Sequence, residues 1–194
     1  MLTATYTLVS LSVEQASLCA SLRSLQKVLH THFAELHSLS EGRVDFACDT
    51  LARAVHAPHW SKVDQHLFPA IYDATDAADD LLQELKQLRL SAESRMADID
   101  LRWAGRALDE PDEVAGFCRQ VDGVCLALIE RLEREEQALF PLARAVVSGE
   151  AWFAIANRML AHEAFLKENK PMRPAPQASA IARVFKQTKV PTCV

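Results

Sequence analysis

Apolar residues along the first 165 positions recur every three to four places rather than every second one, in five long stretches that predict helices. Ser12-Val-Glu-Gln15 fits a capping box, so the first helix is expected over residues 12–38, with Ser-Glu-Gly at 40–42 ending it. A second is expected over 45–70, interrupted or kinked at Pro58, where a backbone donor is missing. A third spans 75–108. Asp109-Glu110-Pro111 then makes a turn with a proline suited to the first turn of a fourth helix, which runs to about 147. Ser148-Gly149 separates a fifth over 150–169. Long amphipathic segments with short connections predict an all-α antiparallel four-helix bundle, the fifth helix packed alongside.

Polar residues falling on apolar stripes carry the chemical information. The first helix has the stripe Leu18, Leu22, Leu25, Leu29, His32, Leu36. The second has Ala52, Val55, His59, Val63, His66, Ala70, and Asp64 points about 140° away from His59 at ordinary helical pitch. The third has Leu81, Leu85, Leu88, Ala92, Met96, Ile99 and Trp103, with Arg95 at its border. The fourth places Glu135 among Val121, Cys125, Leu128, Leu132, Leu139 and Leu142; the fifth places His162 with Trp152, Ile155, Met159 and Leu166. A carboxylate in such a stripe costs several kcal/mol unless it is paired, protonated or metal-bound, so Glu135 needs a partner. Arg131, one turn earlier, and Arg95 are candidates for an ion pair; His32 and His59 could instead join Glu135 as metal ligands. Each inward histidine, His66 and His162 included, could equally be a hydrogen-bonded core residue.

One motif occurs twice. HWSKVDQHLFP (59–69) and RLEREEQALFP (131–141) align with an offset of 72 residues, so each hairpin of the bundle ends one helix with Leu-Phe-Pro. The pattern resembles the signature of hemerythrin-like domains, also called HHE cation-binding domains, His-x-x-x-Glu-acid-x-x-Leu-aromatic-Pro. The resemblance covers roughly residues 10–165. It implies a helical bundle around a non-haem di-iron centre serving oxygen or nitric oxide sensing, iron handling or repair. His59 and Glu135 match family ligand positions and His32 is the best match to the first histidine. Val63 stands where a glutamate belongs and Arg131 where a histidine belongs. A di-iron set is therefore incomplete, which leaves no cofactor, or a single iron or zinc ion on His32, His59 and Glu135. The expectation is a non-catalytic binding or regulatory bundle in which Arg131 and Arg95 supply the charge that iron would have supplied; the other reading is a metal-dependent sensor.

The remaining composition narrows the setting. The net charge of −5 offers no field for nucleic acid. From Lys167 onward six basic residues face only Glu168, a local +5 that leaves −10 on the preceding body. Residues 170–194 thus form a basic, proline-containing tail that could engage an acidic protein partner, and a homodimer through apolar surface or tail is a further expectation. Five cysteines without a CxxC pair suggest reduced thiols, and no stretch suits a signal peptide or a membrane span, so a soluble cytoplasmic protein is expected. Five glycines leave little scope for phosphate-cradling loops, and no nucleophile motif is present.

Overall fold

The computed structural model describes residues 2–33 and 36–168, apart from the side chains of Leu166 and Lys167. The predicted tail, 170–194, lies outside the described residues. Long helices pack against one another, and a backbone bridge, Leu39 with Leu108, ties two connecting segments together through hydrogen bonds of 2.7 and 2.8 Å.

The first helix, α1 (Leu2–Val28), begins ten residues earlier than the capping box implies. The apolar stripe extends upstream through Ala4, Leu8 and Leu11, so Ser12 sits in mid-helix, where its turn has no free backbone donors to cap. Ser40-Glu-Gly42 starts a helix rather than ending one: α2 (Glu41–Val55) has Ser40 in extended backbone as its N-cap. At Pro58 the ladder breaks as expected. Ala57 is extended, and Pro58 opens α3 (Pro58–Lys62), followed by α4 (Phe68–Tyr72). Thr75 then accepts from the Ala77 N–H at 3.2 Å ahead of α5 (Asp79–Trp103). That helix stops before Leu108 because Ala104 is extended and Gly105 takes φ 70°, a left-handed conformation that glycine adopts without a Cβ penalty. Pro111 opens α6 (Pro111–Arg134), which leads to α7 (Phe140–Val146) and, after Ser148, α8 (Gly149–Glu168).

Three π-helical turns interrupt these helices: Leu29–Phe33 after α1, Val63–Leu67 between α3 and α4, and Glu135–Leu139 between α6 and α7. The last two lie on the two copies of the repeated motif. In each, the N–H of the phenylalanine reaches back five residues, Phe68 to the Val63 carbonyl and Phe140 to the Glu135 carbonyl. Pro69 and Pro141 follow at once. Each proline offers no donor to the carbonyl four residues earlier and crowds it, and a widened turn just before the ring sets that carbonyl aside.

The interior consists of two apolar clusters. One gathers Leu22, Leu25, Leu29 and Phe33 with α2, Trp60, Trp103, Phe117 and Leu128. The other holds both Leu-Phe pairs, Leu67-Phe68 and Leu139-Phe140, with Leu11, Leu82, Leu85, Trp152 and Ile155. Between them lies a polar layer.

Candidate functional site: a buried ion layer between two apolar clusters

That layer is built by α1, α3 and the α6-to-α7 junction. Gln15, His59, Lys62, Arg131 and Glu135 are all buried; Arg131 and Glu135 have no solvent exposure. Glu135 Oε1 accepts from Arg131 Nε at 2.9 Å, the i,i+4 pairing of one helical turn. Its other oxygen, Oε2, accepts from Gln15 Nε2 at 2.9 Å and lies 2.8 Å from His59 Nε2. Gln15 also reaches the Leu132 carbonyl at 3.4 Å. Arg131 continues outward to Asp64, and its guanidinium lies over the Trp60 ring at 4.9 Å and the Phe68 ring at 5.8 Å. On the opposite side of His59, Nδ1 is 3.6 Å from Glu14, which is bonded to Lys62, which is bonded in turn to Glu163 at 2.5 Å. Charges alternate along the whole line: Asp64, Arg131, Glu135, His59, Glu14, Lys62, Glu163.

Burial would drive each of these groups toward its neutral form, but their neighbours outweigh it. Desolvation alone would raise the Glu135 carboxyl; the His59 hydrogen bond and charge, with Arg131, hold it below the ordinary carboxylate value. Desolvation would lower His59, yet the hydrogen bond to Glu135 and the charges of Glu135 and Glu14 raise it, and so favour imidazolium. Glu14 is lowered and Lys62 raised, again against desolvation, by their mutual contact and by His59 and Glu163 respectively. The layer is thus a set of ions stabilising one another. Both oxygens of Glu135 are engaged by protein donors.

The structure brings together His59, Glu135 and Arg131. It does not bring His32 or Arg95 to them. His32 is exposed because the π turn Leu29–Phe33 inserts an extra residue, which passes the inward position to Phe33, 2% exposed. Arg95 is exposed on α5, its guanidinium lying against Gly123, and lines an open cleft of about 420 Å³ with Arg102, Trp103 and Arg119. The partner role expected of Arg95 is filled by Gln15 instead. His66 and His162 are half-buried rather than inward, packed edge to face with ring centroids 5.8 Å apart. His66 Nε2 is buried without a hydrogen-bond partner, and desolvation together with His162 and Arg158 lowers that imidazole.

Among the described residues no group of three or more His, Cys, Asp or Glu is arranged to hold a metal ion. The donor set around Glu135 does not fit an iron centre: His59 turns its two nitrogens to carboxylates on opposite sides, and the neighbour one turn before Glu135 is Arg131, which carries a permanent charge and no lone pair to donate. Gln15, Glu14 and Lys62 were not expected from the sequence. The signal for Gln15 was present in its spacing from Leu11, Leu18 and Leu22; Lys62 carries no comparable signal.

In comparisons with known proteins, no family model, no curated protein and no solved structure matches the chain. No helix among the described residues is long and apolar enough to cross a membrane.

Proposed function

We propose that the chain is a divergent hemerythrin-like bundle in which an arginine-centred ion layer stands where a metal centre would be, and that it acts by binding or regulation rather than by catalysis. The observation that carries this reading is the fully buried Arg131, its Nε 2.9 Å from Glu135 Oε1 at the position the motif assigns to a histidine ligand. The two Leu-Phe-Pro copies, each preceded by a π turn and each feeding the same apolar cluster, support the family reading. Three of the five thiols are ill suited to nucleophilic chemistry: burial, the first cause in each, pushes Cys48 and Cys118 up to about 11 and Cys125 to about 12, so these three stay protonated at neutral pH.

The test is metal content together with chelator response. Protein expressed with added iron and zinc is expected to hold far less than one metal ion per chain, and its melting temperature is expected to be unchanged by a strong chelator. One iron or zinc per chain, lost with a drop in melting temperature, would establish the metal-dependent sensor instead.

A further inference from the structure

The outer face of α1 points to a partner. Its inward residues are Ala4, Thr7, Leu11, Gln15, Leu22 and Leu25. Diametrically opposite stand Leu2, Tyr6, Val9 and Val13, at 89%, 71%, 56% and 66% exposure. Their spacing of four, three, four is that of a helix-to-helix seam, and exposed Ala16 and Ala20 extend it. Alongside, α8 exposes Phe153 and Leu160, and Tyr6 and Leu160 line one groove between the two helices. Six of the eleven exposed large hydrophobics among the described residues therefore lie on this side.

The α1 side of this face also lacks charge, and the Lys62 and Glu163 that line its groove with α8 are paired with each other. Through residue 22 the chain has one charged side chain, Glu14, and that turns inward to Lys62 and His59. A helix apolar on both sides is a buried helix, and here only one side is covered by the bundle. An interfacial membrane helix would carry Lys or Arg along its polar border, and this stretch has neither. A second copy meets the requirement best. The body before Lys167 carries −10, so two copies meeting elsewhere bring like charges together, whereas this face adds none. Each of the six is more than half exposed, an apolar patch suited to the core of the ~800 Å² that each partner contributes to a standard interface.

We propose that α1, flanked by Phe153 and Leu160, is a two-fold homodimer interface. The test is sedimentation velocity of the full chain in reducing buffer over a range of concentrations. The wild-type protein is expected at twice the chain mass. Tyr6→Lys with Val13→Lys should retain its helical circular dichroism and raise the dimer dissociation constant by about a hundredfold or more, since like charges would then face each other across the axis. If that variant loses helix, Tyr6→Ser with Val9→Ser is measured in its place. Leu101→Lys, at a 90% exposed site on α5, should remain dimeric. A wild-type monomer at all concentrations, a dimer indifferent to the α1 substitutions, equal loss with Leu101→Lys, or a monomer that floats with phosphatidylcholine vesicles would each overturn the proposal.

Discussion

Arg131 is the residue on which the interior turns. A buried ion pair contributes little net stability compared with apolar residues of the same volume, but breaking one side strands the other charge at a cost of roughly 3–5 kcal/mol. Arg131→Ala should therefore lose about that much in urea denaturation at neutral pH. Replacing Arg131 and Glu135 together with methionine should lose distinctly less than Arg131→Ala alone. A single-variant loss below about 1 kcal/mol would mean that Glu135 is solvated in solution, contrary to its zero exposure. Glu135 was readable in the sequence as an acid among leucines, and its need for a cation followed from desolvation alone. Which cations answer that need was not readable, because side chains of three helices converge there and residues 15, 59 and 135 are far apart in the chain.

At the level of elements, the helices and most of their stripes follow from spacing, and three of the misplaced side chains share one cause. By the end of each π turn or just past it, the inward position falls one residue later than a pitch of 3.6 predicts: Phe33 for His32, Leu67 for His66, Ala143 for Leu142. Asp64, expected to face away, stays partly exposed, and Arg131 extends outward to it. Periodicity assumes a constant pitch, and nothing local to Leu29–Phe33 announces a change; at the other two turns the following proline is the only local signal. The pairing of α5 with α6 allows a sharper test. Gly123 lies in the middle of α6, where glycine costs about 1 kcal/mol relative to alanine. A Cβ there would meet only Arg95 Nη1, at 2.8 Å, the far end of an exposed and flexible side chain. Gly123→Ala should therefore stabilise the protein by about 0.5–1 kcal/mol, with Arg95 swinging aside. A destabilised variant would show that Arg95 is held in place.

Across the whole molecule, the ion layer joins two apolar clusters that would otherwise meet directly, and it makes stability depend on pH. His59 is raised above its ordinary 6.5, so its contribution is complete below that value and is lost as pH climbs through the folded one. Glu135 and Glu14 are lowered from 4.5, so theirs is present above 4.5 and is lost as pH falls through the folded values. The layer is therefore most stabilising between 4.5 and 6.5. His66, lowered, works in the opposite sense, but it is half-buried and acts more weakly. The stability difference between wild type and His59→Gln should accordingly shrink as pH rises from about 5.5 to about 8.5 in denaturant titrations. A difference constant over that range would mean that folding leaves the His59 pKa unchanged, and one that grew with pH would place the folded imidazole in its neutral form. The sequence by itself determined the all-helical build of the described residues, the approximate helix spans, the break at Pro58, and an acid that must find a cation, because these depend on local propensity, periodicity and the cost of burying charge. Only the tertiary structure decided the pitch changes, the partners of Glu135 and the division of the core, because a rotation of one residue within a helix depends on how distant helices pack against it.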